Sequence, residues 1–361
     1  MNMSSERKPA ILFVSLLLLL PNLISKIQAH NASNHSVAAL YVFGDSYVDP
    51  GNNDFLASVA RSNFPPHGID FLNPKATGRF SNGKLIADFL AFYLGFENYV
   101  AYLDPNLSIQ AKAAVGFASS GTGFDNVIPM STQLEYFREY KVRLASIIGE
   151  EVADNQMKNA VFFVNCAVND ILSTYFGPGK LLLPDGITIE QYEDFLLEKT
   201  REFIEGLKDL GARRIAVSGV PLFGCWPLVI TLYSANPMNA LVTRTCNETL
   251  NAVGKDYNMK VQKLLNKIQS SSPNMDLKLA YFDTYTPMLH ISQNRAEYGF
   301  EVINRGCCGS GLVEVGPLCN ALSSVCSDRR KYQFFDSVHP TEAASSIIVD
   351  ANIGAINFIA T

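Results

Sequence analysis

Apolar residues along this chain fall into two kinds of run. Short continuous runs occur at Ala38–Phe43, Val161–Val164, Ile215–Val220 and, more mixed, at Leu277–Phe282. Runs of this length that lack alternation suit strands buried on both faces. A weaker candidate is Val115–Ala118, followed by the glycine-bearing stretch Ser119–Gly123. The second kind is amphipathic. Tyr192, Phe195, Leu196, Phe203, Ile204 and Leu207 recur at three-, four- and seven-residue spacings, which puts them on one face of a helix that Gly211 closes. Leu85, Ile86, Phe89 and Leu90 repeat that spacing, as do Val261, Leu264, Leu265 and Ile268. Strand alternating with helix predicts βαβ units and a parallel sheet covered on both sides. With no internal repeat, linker or shift in composition, one α/β domain over residues 30–361 is expected.

The first 29 residues have a different character. Arg7 and Lys8 precede the apolar run Ile11–Leu20, which Pro21 breaks before the small residue Ala29. Such a core is too short for a bilayer, which takes about 20 apolar residues, and reads as a signal peptide over residues 1–29. Export agrees with four Asn-X-Ser/Thr sequons, at Asn31, Asn34, Asn106 and Asn247. It agrees also with the cysteines. Six of the seven (Cys225, Cys246, Cys307, Cys308, Cys319 and Cys326) lie in polar or turn-rich sequence of the second half. They suit disulfides, whose pairing sequence leaves open among 15 connectivities. A zinc site lacks histidines at ligand spacing. Cys166, inside an apolar run, is expected as a buried free thiol. The net charge of −5 has no basic stripe to neutralise phosphates, which argues against nucleic acid as a partner.

Ligands of open parallel sheets bind beyond the carboxyl ends of the strands. The residues there are Gly44-Asp45-Ser46, then Ser120-Gly121, then Asn169-Asp170. Near the C-terminus stands Asp336-Ser337-Val338-His339-Pro340. A serine hydroxyl needs a base within hydrogen-bond reach to act as a nucleophile, and histidine is the natural one. Of five histidines, His30 and His35 lie at the expected cleavage site, His67 in a turn after Pro65-Pro66, and His290 on a helix-like stretch. His339 alone stands three residues after an acid, so that Asp336 can hold its Nδ1–H and leave Nε2 for Ser46. The backbone N–H groups of Ser46 and Gly121 and the side-chain amide of Asn169 are suitable donors to an oxyanion. Asn169 also suits a helix N-cap, and Gly121 a turn.

Four stretches together resemble the plant GDSL-type lipases and esterases of the SGNH hydrolase superfamily. They are Phe43–Ser46 with Asp49-Pro50-Gly51-Asn52-Asn53, Gly78-Arg79-Phe80-Ser81-Asn82-Gly83, Gly116–Gly121, and Asp336–Glu342. The Cys307-Cys308-Gly309 segment is similar to the family's as well. The resemblance implies a flavodoxin-like three-layer α/β/α sandwich around a parallel sheet of about five strands. It implies Ser46 as nucleophile, His339 as base and Asp336 as its partner. Ser46, Gly121 and Asn169 would line the oxyanion hole, with no metal or organic cofactor. The chain departs from the pattern at Ala167, where the family has glycine. Asp49 and Asp88 are expected to be structural. The function that follows is a secreted, extracellular hydrolase of carboxylic acyl esters, the cell wall being one destination, acting through an acyl-enzyme. The rivals are an acyltransferase using an alcohol acceptor and a secreted binding or structural protein with little turnover.

Overall fold

The continuous apolar runs become strands whose residues are almost all buried. The computed structural model describes residues 37–71, 73–110, 112–123, 128–273 and 276–361. The expected signal peptide, with His30, His35 and the sequons at Asn31 and Asn34, lies outside the described residues. In chain order the first elements are β1 (Leu40–Gly44), α1 (Ile86–Tyr93), β2 (Tyr99–Ala101), β3 (Ala114–Gly116), α2 (Met130–Ile148) and α3 (Glu150–Asn159). Next come β4 (Val161–Asn165), α4 (Ile189–Asp209), β5 (Arg214–Ser218), α5 (Pro227–Leu232), α6 (Glu248–Ser270) and β6 (Lys278–Phe282). Last are α7 (Tyr285–Gln293), β7 (Val302–Gly306), β8 (Tyr332–Phe334), α8 (Glu342–Ala351) and α9 (Ile353–Ala360).

Six strands form one parallel sheet in the order β2-β3-β1-β4-β5-β6. Apart from β2 this is the flavodoxin-like order, with its topological switch between β1 and β4. The edge strand β2 has only three residues, too few for a periodic signal, and so it escapes the sequence pattern. Helices α2, α4 and α6 pack on one another as one group, and α1, α8 and α9 as a second, flanking the sheet. Leu40 sits opposite Ala114 on one side and Val161 on the other, which places β1 at the centre. Its Tyr41 and Phe43 enter an aromatic cluster with Phe117, Phe137 and Phe162, ring centroids 4.9–6.4 Å apart. The Tyr41 hydroxyl accepts a bond from the Gln156 amide at 2.8 Å.

The six late cysteines pair as Cys225–Cys246, Cys307–Cys326 and Cys308–Cys319, and Cys166 is free and buried. Among the described residues no cluster of three or more His, Cys, Asp or Glu side chains is arranged to hold a metal ion. Nor, among them, is any single helix long and apolar enough to cross a membrane.

A buried ion pair ties the long connection after β1 to the sheet edge. The Arg79 guanidinium meets the Asp88 carboxylate through two bonds of 2.9 and 2.8 Å and donates to the carbonyls of Pro50 (3.1 Å) and Tyr99 (2.7 Å). Asp88 also accepts the Leu85 N–H at the start of α1. Removing one member strands a buried charge. Asp88→Ala is expected to destabilise the fold by about 3 kcal/mol or more, read as a lower urea midpoint at unchanged m-value.

Candidate active site

Ser46 stands two residues past the end of β1, at the switch point of the sheet. The chain turns there through Gly44, at φ 145°, where a Cβ would lie 2.0 Å from the carbonyl oxygen of Asn165. No side chain fits, and this glycine is required. One side chain from α2 holds both backbone groups of Gly44. The Gln133 Oε1 accepts its N–H and the Gln133 Nε2 donates to its carbonyl, each at 2.9 Å. Asp45 points inward, where its Oδ1 accepts the Tyr47 N–H and the Asn165 amide, both at 3.0 Å. Burial pushes the Asp45 carboxyl up to about 7, against these two bonds and the nearby His339.

His339 arrives from the other end of the chain. The β7–β8 pair carries the Asp336–His339 loop, and Gly306 at the end of β7 leaves room for the Asp336 backbone, which a Cβ would approach to 2.4 Å. Within the loop, Asp336 Oδ1 accepts the N–H groups of Val338 (2.8 Å) and His339 (2.7 Å). Its Oδ2 lies 2.7 Å from His339 Nδ1, and His339 Nε2 lies 2.7 Å from Ser46 Oγ. An Nδ1–H donated to the carboxylate leaves Nε2 as an acceptor for the serine hydroxyl. The three residues predicted from sequence are thus brought together, all buried. The rings of Phe80 (5.0 Å) and Tyr47 (5.8 Å) wall the imidazole.

The expected oxyanion donors come from two further strand ends. Gly121 adopts φ 82°, in the region that favours glycine. The backbone leading to it is held by Asp49, Asn52 and Asn53. The Asp49 carboxylate accepts Gly51 N–H, Asn52 N–H and Ser120 N–H at 2.7–2.8 Å. Asn52 Nδ2 donates to the carbonyls of Gly116 and Ala118, and Asn53 Nδ2 to that of Ser120. Asp49 is structural, as expected, yet what it fixes is the approach to Gly121. Asn169 makes no capping bond through its side chain; its Nδ2 donates instead to the Thr122 carbonyl at 2.8 Å, which ties it to the Gly121 segment. Ala167 is fully buried at φ 84°, in the region that favours glycine, the residue that the resemblance leads one to expect there.

Gln133 and His67 were not singled out by sequence. Gln133 lies in a helix whose pattern shows only an ordinary polar residue. His67 is buried beside the rings of Phe80 (6.0 Å) and Phe335 (5.5 Å), and burial lowers its pKa to about 4, so it is neutral at pH 7. Only burial distinguishes either, and burial of a polar residue has no periodic signal. Clefts of about 680 and 410 Å³ open elsewhere, and neither is lined by Ser46, Gly121, Asn169, Asp336 or His339.

The architecture is thus a parallel sheet flanked by helices, with a serine hydroxyl beside a histidine at its carboxyl edge. The model of the GDSL-like lipase/acylhydrolase family matches residues 40–352, and the chain belongs to that family. It is 43% identical over 320 residues to GDSL esterase/lipase At5g45960 of Arabidopsis thaliana, covering 85% of this chain and 83% of that one. GDSL esterase/lipase At2g40250 of the same plant is 38% identical over 353 residues, covering 95% and 96%. Among solved structures, LAE5, an alpha/beta hydrolase enzyme from the metagenome of Lake Arreo, Spain, aligns over 89% of this chain and 96% of its own, with TM-score 0.40 at 12% identity. That degree of likeness bears on neither fold nor function. The chain is a carboxylic ester hydrolase, and its substrates are acyl esters.

Two outcomes follow from the backbone and the buried acid. Ala167→Gly relieves a positive φ and should raise stability by about 1 kcal/mol, seen as a higher thermal midpoint. The raised Asp45 carboxyl makes the folded state bind more protons than the unfolded chain between about pH 4, the ordinary Asp value, and about 7. Wild-type stability should therefore fall across that window relative to Asp45→Asn, whose amide does not titrate. Urea titrations at several pH values read the difference, and a constant gap between the two proteins would refute it.

Proposed function

We propose that Ser46 is the nucleophile, His339 the general base and acid, and Asp336 the group that orients it, in a secreted enzyme that cleaves acyl esters through an acyl-enzyme. The observation that carries this reading is the pair of 2.7 Å contacts joining Asp336, His339 and Ser46 in one line. Ser46 Oγ attacks the ester carbonyl while its proton passes to His339 Nε2. The Asp336 carboxylate stabilises the imidazolium and keeps its tautomer. The negative oxygen of the tetrahedral intermediate accepts bonds from the N–H groups of Ser46 and Gly121 and from the Asn169 amide. That amide spends one N–H on Thr122 and has a second to offer. Collapse expels the alcohol, which takes the proton from Nε2. Water, deprotonated by the same nitrogen, then releases the acid and returns the proton to Ser46. The buried methyl of Ala167 leaves the Asn169–Thr122 bond intact, which supports a working oxyanion hole over a binding role without turnover.

Secretion is supported by the three disulfides, which persist in oxidising compartments. Of the two described sequons, Asn106 is exposed, its amide bonded only to the neighbouring Asp104 carboxylate at 3.1 Å in the same exposed turn. Asn247 is half-buried and caps α6 by accepting the Leu250 N–H at 3.1 Å, while its amide donates to Tyr233. Glycosylation is therefore assigned first to Asn106. Residues 30–361 act as one catalytic unit.

Ser46→Ala is expected to lower hydrolysis of p-nitrophenyl butyrate by about 10⁴-fold or more with an unchanged thermal midpoint. Asn169→Ala, which removes one oxyanion donor, is expected to cost about 10²–10³-fold in kcat. A Ser46→Ala protein as fast as the wild type would remove Ser46 from the chemistry. Acyl-glycerol formed in place of free acid when glycerol is supplied would assign the second half-reaction to an alcohol acceptor.

A further inference from the structure

Helix α2 buries one face, with Met130, Gln133, Phe137, Tyr140 and Leu144 at alternating three- and four-residue spacings. Four of these suit a core. Gln133 does not: a primary amide stands where the spacing calls for an apolar side chain, and it is fully buried. A buried amide gives up its water, a loss that is offset only where its bonding groups find partners. In Gln133 the oxygen and both N–H bonds find them. Oε1 accepts the Gly44 N–H and one Nε2 hydrogen goes to the Gly44 carbonyl, each at 2.9 Å. The other goes to Thr122 Oγ1 at 3.3 Å.

These two partners adjoin the groups assigned to the oxyanion. Gly44 turns the chain that presents Ser46 two residues later. Thr122 follows Gly121, and its carbonyl takes one N–H of the Asn169 amide at 2.8 Å. The Thr122 hydroxyl accepts from Gln133 and donates to the Ile128 carbonyl at 2.9 Å, so its orientation is fixed. The Ser119 N–H joins the same Gly44 carbonyl at 2.9 Å. One side chain thus connects the segments after β1 and β3 directly, and the segment after β4 through Thr122. An apolar side chain could fill this volume, but its contacts have no direction. Hydrogen bonds weaken steeply out of line, so they fix the three segments in angle as well as in distance.

We propose that Gln133 is a positioning residue for ester hydrolysis, setting the mutual placement of the Ser46 N–H, the Gly121 N–H and the Asn169 amide. The proposal deepens the assignment of those three donors and rests on it. A donor displaced by about 1 Å loses much of its effect on the transition state, so the loss appears in the rate. The test is a double-mutant cycle on the secreted full chain: Gln133→Met, Asn169→Ala and the two combined, assayed well below each thermal midpoint. Methionine keeps the length of the side chain and removes its amide. Should Gln133→Met fail to fold, Thr122→Val replaces it in the cycle, keeping the shape and cutting the bonds of the hydroxyl.

Gln133→Met is expected to lower kcat/KM for p-nitrophenyl butyrate by about 10²-fold. It should weaken by a similar factor the binding of butylboronic acid, whose tetrahedral serine adduct places an oxygen among the donors. In the Asn169→Ala background the same change should cost at least about tenfold less, because both act through one set of donors. The acid-side midpoint of the pH profile of kcat/KM should stay in place, since the contacts joining Asp336, His339 and Ser46 are untouched. Thr122→Val, where it is used, should lose about tenfold with the same coupling to Asn169. A rate within about twofold of the wild type overturns the proposal. So does a loss that multiplies independently of Asn169→Ala, which makes Gln133 a support of the fold at large. A shifted acid-side midpoint overturns it in favour of an action on His339. If Asn169→Ala alone leaves the rate unchanged, the donor assignment falls and takes this inference with it, a result distinct from an unchanged rate in Gln133→Met.

Discussion

The centre of this fold depends on one close approach. The carbonyl of Asn165 at the end of β4 occupies the space that a side chain on residue 44 would fill, and only glycine permits the two strand ends to run so near. That contact sits at the switch point, where neighbouring connections diverge and leave a crevice. Ser46 is delivered into the crevice because the chain turns at Gly44 and the Gln133 amide secures the turn from both sides. Around it, segments separated by up to 293 residues converge: β1 supplies the serine, β3 and β4 lead to Gly121 and Asn169, and the chain after β8 supplies the histidine.

Most of the polar side chains near the site act on backbone. Asp49, Asn52 and Asn53 together hold the backbone leading to Gly121, and Asp336 binds two backbone N–H groups besides the imidazole. Such arrangements cost desolvation, and the elevated Asp45 carboxyl is one sign of that cost. What they achieve is geometric. Loops that would otherwise sample many conformations are held in one, so that Ser46, Gly121, Asn169 and His339 have fixed places. Ala167 follows the same logic: a methyl at positive φ is tolerated because strand β4 on one side and the Asn169 contact on the other determine its conformation.

The late cysteines extend this economy outward. Two disulfides brace the segment between β7 and β8 that leads to the Asp336–His339 loop, and the third closes the apolar loop after β5. The rigid parts of the molecule thus reach beyond the sheet to the rim of the site.

Four of the six strands and the helices α1, α4 and α6 were legible as continuous apolar runs and helical spacings, because burial of a strand or a helix face leaves a periodic trace, whereas the long helix α2 was not singled out. Ser46, Asp336 and His339 were legible too, since their types are restrictive and each lies beside a recognisable break. The short strands were harder: β3 gave a weak trace and β2 none, because three residues hold too little pattern. Gln133, His67 and the Asn52–Asn53 clamp gave no role, because a buried polar residue looks in sequence like an exposed one. The chain by itself determined the order of strands and helices and the residue types available for the chemistry, since both rest on local pattern. Only the tertiary structure decided the disulfide pairing and the partners of each buried amide. Those depend on distances between segments far apart in the chain, and such distances exist only once the core has closed.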